Sequence, residues 1–364
     1  MSHSSAEPPP HPPGRSRRRR VLQTIATVVG TLLVVAAVAA AVIHVPYVIE
    51  SPGAATPLTS QVVTVSGART YPHRGQLLFL TVQVTTSDPN LYSYAFASLS
   101  SDDAVVGKQD VLGCASYAAD ARLNTLLMDD SQNAAKEVAL RRLGYPVTPT
   151  GDQALVLEIE CGGPSDHHLQ EGDIITAVDG HPVASADDVH QAVVGLAPHA
   201  VVHLTVRRGT QTVPVTVHSG RNGTTAFLGI ITQTLTMWHF PLDLRINTQN
   251  IGGPSAGLAF TLALISALSP GDVTGGRPVA VTGTINPDGT VGQVGGIPQK
   301  AITAQRSGAV AMLVPSGQER DARGAAPHLQ VIAVKTVDDA LAALRRLGGV
   351  PVATGTPLAS PSAQ

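Results

Sequence analysis

Three features of this 364-residue sequence predict an α+β chain of several units behind one membrane-spanning helix. Residues 21–43 carry no charge, which is long enough for a spanning helix. From about 45 to 220, short β-branched stretches alternate with glycine- and proline-rich turns and isolated helical patterns. Beyond 224, two glycine-led helix starts stand among alternating strand and helix patterns.

The first twenty residues are rich in Pro, Ser and His and end in Arg17-Arg18-Arg19-Arg20, which predicts a disordered basic tail over 1–20. The 21–43 helix would measure about 35 Å at about 1.5 Å per residue. Arginines on its N-terminal side set that end in the cytoplasm and the remainder outside. A cleaved signal peptide is the competing reading, with Ala37-Val38-Ala39 and Ala39-Ala40-Ala41 as small-residue cleavage candidates. Arg18-Arg19-Arg20-Val21-Leu22-Gln23 also loosely fits a twin-arginine export signal. Each reading exports the folded part.

Composition narrows the rest. A hydrophobic content of 43% supports real cores, and a net charge of -2 excludes a nucleic-acid binder with a basic face. The expected partners are proteins or peptides. Cys114 and Cys161 are too few for a disulfide framework and have no zinc-like spacing. They form one bridge if the domain is extracytoplasmic, or are simply two small buried residues.

Residues 45–141 read as an α/β region of their own, with strands at Gln61–Ser66 and Gln76–Thr85 and a helix over Asp120–Leu143 closed by Gly144. Over 142–220 the pattern shifts to strands at Ala154–Ile159 and Ile174–Val178, a helix at Asp187–Val194, and a hairpin of Val201–Arg207 and Gln211–Val217 about Gly209. Gly220 to Gly223 reads as a linker, 224–349 as the last unit, and 350–364 as a disordered tail.

The chemistry is expected in that last unit. In Gly252-Gly253-Pro254-Ser255-Ala256-Gly257, Gly253 can cap a helix, Pro254 can open it, and Ser255 follows in its first turn. The helix Ala256–Leu268 is apolar almost all round and should be buried. In Gly295-Gly296-Ile297-Pro298-Gln299-Lys300, a lysine is delivered in the same way, opening a helix Gln299–Ser307 that Gly308 closes. The chain has four lysines against twenty arginines, so a lysine here is not filler. Burial and the helix N-terminus both lower its pKa, and a neutral lysine can take a serine proton without a histidine. Free amides at the serine's helix start can stabilise an oxyanion.

The stretch from Val279-Ala280-Val281-Thr282-Gly283-Thr284-Ile285 through the turn Asn286-Pro287-Asp288-Gly289 to Gly295-Gly296 and Lys300 resembles the proteolytic domain of Lon-type serine peptidases. That resemblance implies Ser255 as nucleophile, Lys300 as base and Thr282 as a polar partner of the lysine, with Gly253 and Pro254 supporting. Two positions depart from the family pattern: Gly252 where Asp is common, and Thr284 where Glu is common. The string Leu169-Gln170-Glu171-Gly172-Asp173-Ile174-Ile175-Thr176-Ala177-Val178-Asp179-Gly180 looks like a PDZ domain of bacterial proteases, a β-barrel or sandwich that binds extended peptides by adding a strand to a sheet edge. By order along the chain, Leu143, Gly144, Tyr145 and Val147 would form its carboxylate-binding loop.

No Walker loop is present, since the pair Gly107-Lys108 is followed by Gln109 and preceded by Asp102 where the first glycine belongs. The order of anchor, extra region, PDZ and Lon-like unit resembles the bacterial membrane-anchored PDZ-Lon (YlbL-like) peptidases. The resemblance implies a serine endopeptidase without ATP, metal or other cofactor, on the outer face of the cytoplasmic membrane, assembled as a homo-oligomer. The rival reading is a PDZ scaffold with an idle Lon-like domain. No His-Glu-x-x-His occurs, and His167-His168 sits in a loop, so a metal site is not expected. His239 and His328 would be the histidines of a conventional triad.

Overall fold

The computed structural model describes residues 15–248 and 251–352. In chain order the first part is α1 (Arg15–Val42), β1 (Tyr47–Pro57), β2 (Val63–Ser66), β3 (Gln76–Val84), α2 (Leu91–Leu99), β4 (Ala104–Gly107), α3 (Lys108–Leu112) and the long α4 (Tyr117–Arg142). The second is β5 (Thr148–Ile159), β6 (Ile174–Val178), β7 (His181–Pro182), α5 (Ala186–Val194), β8 (Val201–Arg208), β9 (Gln211–His218), β10 (Gly220–Asn222), β11 (Thr225–Phe227) and β12 (Ile230–His239). The third is β13 (Asp243–Ile246), α6 (Gly257–Leu268), β14 (Pro278–Val281), β15 (Thr284–Ile285), β16 (Val291–Gly292), α7 (Ile297–Arg306), β17 (Ala311–Pro315), α8 (Glu319–Ala325), β18 (Gln330–Val334) and α9 (Val337–Arg346).

α1 is long and apolar enough to cross a membrane by length and composition. It begins at Arg15, so the arginines expected in a disordered tail continue the helix, in keeping with arginine's high helix propensity. The expectations for 1–14 and 353–364 lie outside the described residues. Residues 350–352 do not belong to a loose tail, because the Val350 amide donates to the Asp272 carbonyl at 2.9 Å and Val352 packs on the main core.

The main sheet has the order β18-β17-β14-β3-β1-β4. β14 runs parallel to β3 on one side and to β17 on the other, whereas β3, β1 and β4 are antiparallel. Strands from residues 47–107 and from 278–334 therefore share one sheet. Region 45–141, expected to stand by itself, does not: β3 supplies Leu77 and Phe79 to one face and Leu78 and Leu80 to the other, in the period of two that a strand imposes. Burial on both faces also explains its unbroken apolar run. One face is covered by α6 with α4 and α9, the other by α7 and α8.

The second sheet, β12-β5-β6-β8-β9, is the PDZ-like unit with α5 against it. A capping box sets the start of α5, with the Ser185 hydroxyl accepting from the Asp188 amide and the Asp188 carboxylate from the Ser185 amide. Its boundary also differs from the expected one. Gly220–Asn222 forms a hairpin with Thr225–Phe227, and β12 pairs with β5 from Ile230↔Ile159 to His239↔Thr148. The unit is thus inserted between α4 and β13. It rests on α4 through Leu123, Leu155, Ile174 and Leu235, and the Cys114–Cys161 disulfide, Cα–Cα 5.5 Å, ties the end of β5 to the turn after α3.

Phe79 of β3 and Phe260 of α6 meet in a tilted ring contact with centroids 5.7 Å apart, both essentially unexposed. Phe79→Ala is expected to cost about 3–5 kcal/mol. Denaturant unfolding measures the loss, and hydrogen exchange should show the α6 amides, far along the chain, losing protection with it.

Candidate active site

The helix carrying the first motif starts later than its sequence suggested. Pro254, Ser255 and Ala256 form a turn, Ala256 is the N-cap, and α6 begins at Gly257. Several contacts impose this geometry. Gly253 has φ +92°, a conformation glycine adopts readily, and its amide donates to the Asn124 carbonyl of α4 at 2.8 Å. The Ser131 hydroxyl of α4 donates to the Pro254 carbonyl at 2.9 Å. At Gly257 a Cβ would come within 2.7 Å of Ile285 and 2.9 Å of Ser131, so only glycine lets strand and helix close on this point.

Ser255 is half-buried. Its carbonyl accepts from the Gly283 amide at 2.9 Å and from the Thr282 hydroxyl at 3.2 Å, while the Leu258 amide donates to the Gly283 carbonyl at 3.1 Å. The segment leaving β14 thus grips both sides of the serine. Thr282 is fully buried and held by its own amide, which donates to Leu313 O at 3.1 Å.

Lys300 is the fourth residue of α7, two residues further in than the sequence suggested, because α7 starts at Ile297 with Gly296 as its cap. The Lys300 amide donates to Gly296 O at 2.9 Å. Its side chain is 3% exposed, and among the described residues it makes no ion pair. Burial lowers its pKa from 10.5 to about 8, and the Glu50 carboxylate of β1 opposes this only in part. No direct hydrogen bond joins the Lys300 ammonium to Ser255 or Thr282; the Thr282 hydroxyl donates to the serine backbone and keeps its lone pairs for a further donor. Among the described residues no cluster of His, Cys, Asp and Glu could hold a metal.

The peptide-loop expectation is corrected. Leu143 is the C-cap of α4 and is buried in the main core, where Tyr145 and Val147 also pack. The amides of Leu143, Gly144 and Tyr145 all donate to carbonyls of α4, so none is left for a carboxylate. A different part of the PDZ-like unit is open to solvent. A cavity of about 580 Å³ opens between Val189, Val193 and Val194 of α5 and Ile230 and Ile231 of β12, closed at one end by Phe227-Leu228-Gly229. Leu228 is buried and Gly229 has φ +67°. β12 is the edge strand of its sheet, with one side unpaired. Phe227-Leu228-Gly229-Ile230 is an apolar, glycine-centred turn that leads from β11 into β12.

Two family models match parts of this chain. Residues 248–346 match the family described as Lon protease (S16) C-terminal proteolytic domain, and residues 141–218 match the PDZ domain family. Lon protease 1 of Sorangium cellulosum is 40% identical over 106 residues, 27% of this chain and 12% of that protein. Lon protease 2 of Bacillus subtilis is 26% identical over 208 residues, 54% of this chain and 35% of that protein. The PDZ domain of an SdrC-like protein from Listeria monocytogenes is 18% identical, with a TM-score of 0.21, over 22% of this chain and 85% of that one. The chain thus spans only a minor part of the curated relatives it matches. Its C-terminal part is a Lon-type proteolytic domain, and the unit inserted ahead of that match is a PDZ domain.

Proposed function

We propose that the protein is a membrane-anchored serine endopeptidase that works without ATP on exported or envelope proteins and peptides, with a Ser255-Lys300 dyad and the PDZ groove selecting substrate. The observation that carries this reading is Lys300: a lysine buried on a helix start, without an ion pair among the described residues and with its pKa brought to about 8. A structural lysine has no reason to bear that cost, whereas a general base must be neutral near working pH. Neutral Lys300 Nζ takes the Ser255 hydroxyl proton as Oγ attacks the scissile carbonyl. The proton then passes to the leaving amine as the C–N bond breaks, and water, deprotonated by the same Nζ, releases the acyl group and restores Ser255. Thr282 would orient the ammonium through the lone pairs its hydroxyl retains.

This topology places the N-terminus inside and the folded part outside, supported by the arginines in the first turns of α1 and by the Cys114–Cys161 bridge, a feature of oxidising compartments. An extended peptide would add to the free edge of β12 with its terminal side chain between α5 and Phe227-Leu228-Gly229. Assembly as a homo-oligomer belongs to the same reading.

Purified protein without ATP should cleave unfolded substrates, and both Ser255→Ala and Lys300→Ala should abolish the products read by mass spectrometry. A folded protein giving no products from pH 6 to 10 would leave only the scaffold reading. The value of kcat/KM should rise with pH through an apparent pKa near 8 as Lys300 loses its proton.

Stability gives a test independent of turnover. The folded pKa of Lys300 lies below its unfolded value, so the cost of holding the cation is complete below about pH 8 and relieved as pH climbs toward 10.5. Lys300→Met should therefore be more stable than the parent at pH 7 by on the order of 2–3 kcal/mol, a gap that closes by alkaline pH in urea unfolding.

In the groove, Ile231 is 53% and Val194 39% exposed. Ile231→Asp with Val194→Asp should raise KM for long unfolded substrates about tenfold and leave cleavage of short peptides unchanged. Equal loss on both substrates would remove the groove from substrate selection.

A further inference from the structure

α2 carries apolar side chains that no core uses. Tyr92, Phe96 and Leu99 stand at i, i+4 and i+7 on one stripe and are 67, 69 and 89% exposed, with Leu91 at the helix start 38% exposed. The helix has no charged residue. Its other side is occupied: Ala97 is buried, and the Tyr94 ring lies 4.8 Å from that of Tyr47 in β1. A contiguous aromatic and apolar stripe of this kind marks an interaction surface.

The stripe sits beside the end of α1. The Leu91 amide donates to the Ile43 carbonyl at 2.8 Å, the Val45 amide donates to the Pro89 carbonyl at 2.9 Å, and His44 bridges to Asn90. The first residue of α2 is thus one hydrogen bond away from the apolar helix. Resting on the reading that α1 spans the membrane, we propose that α2 is a second membrane contact, an interfacial helix whose Tyr92, Phe96 and Leu99 enter the headgroup and acyl boundary of the outer leaflet. Lipid is the occupant because the stripe is continuous with the point where α1 leaves the bilayer, and tyrosine and phenylalanine suit that depth.

The contact reaches the active site through two short routes. After α2, Asp102 pairs with Arg306 of α7 at 2.6 Å, and its carbonyl accepts from Gln299, the neighbour of Lys300, at 3.4 Å. From α1, β1 leads to Glu50, the carboxylate that acts on Lys300, only eight residues past Val42. At about 3.3 Å per residue, Glu50 lies within roughly 26 Å of the end of α1. One anchoring helix would let the peptidase swivel; two contacts fix its height, close to chains emerging at the membrane surface.

The test uses the full chain in phosphatidylcholine vesicles with acyl-chain bromines as quenchers. Trp238, the sole tryptophan, is replaced by Trp238→Phe, and single indoles are introduced by Phe96→Trp in α2, Val29→Trp in α1 and Val201→Trp on the PDZ domain. Bromination should cut the emission of the Phe96→Trp and Val29→Trp proteins about twofold or more and leave Val201→Trp unchanged. Quenching at position 29 but not at 96 would overturn the interfacial helix and leave the anchor intact; no quenching at either would remove both. A concentration-dependent blue shift at position 96 without quenching would assign the stripe to a second copy and also overturn the proposal.

Discussion

The rest of the fold depends on the burial of α6. Of its residues all except Ala267 are buried, so this helix has no solvent face and must be covered from every side. The cover comes from distant parts of the chain: Phe79 of β3, Val138 and Ala139 of α4, Leu244 and Ile246 of β13, Val279 and Val281 of β14, and Ala340, Ala343 and Leu344 of α9. Because residues 63–79 and 134–143 form walls of the same core as 244–347, the early part of the chain is structural to the proteolytic domain. The turn that holds Ser255 is fixed by the same arrangement, since Asn124 and Ser131 grip it from α4 and Thr282 and Gly283 grip it from the end of β14.

Inserting a PDZ domain into the middle of such a core is possible because entry and exit lie side by side. The chain leaves α4 into β5 and returns along β12, and Thr148 opposes His239 at the crossing point. The core thus sees only a closed pair of strands. The insertion is nonetheless held firmly: leucines of α4 and β5 form their own cluster, Arg122 donates to Gln170 at 2.6 Å, Gln233 donates to Asp130 at 3.1 Å, and the disulfide closes the side next to the groove. Burial raises the Asp130 pKa to about 6, so this seam contains a carboxyl that is least costly to keep near or below that pH.

What was legible in the sequence was local. The apolar run of α1, the capped helices, the Gly209 hairpin and the two glycine-led starts follow from propensity and turn chemistry within a few residues. Partnership between distant strands was not. β1 contains Ser51-Pro52-Gly53 at its middle, residues that argue against a strand, and it pairs with β3 across a register shift at that point. α2 is a single short helix, and nothing local shows that the face carrying Tyr92, Phe96 and Leu99 stays exposed. The loop expected at Leu143–Val147 came from chain order alone, which could not show that the amides there are already taken up by the end of α4.

The departures at Gly252 and Thr284 leave both positions without a carboxylate. An acid at position 252 would stand beside Asn124, in the turn that leads to Ser255, and one at position 284 would open β15, the strand that begins two residues after Thr282. A carboxylate near a buried lysine stabilises the ammonium and raises its pKa, opposing the effect of burial. Glu50 is the carboxylate that acts on Lys300, and it does not cancel the desolvation. On the proposed mechanism the base is then held near neutrality by burial alone, so the resting site needs no change of ion pairing to become competent. Its output would be governed by delivery, by what the β12 edge captures and by what reaches the short distance from the membrane surface.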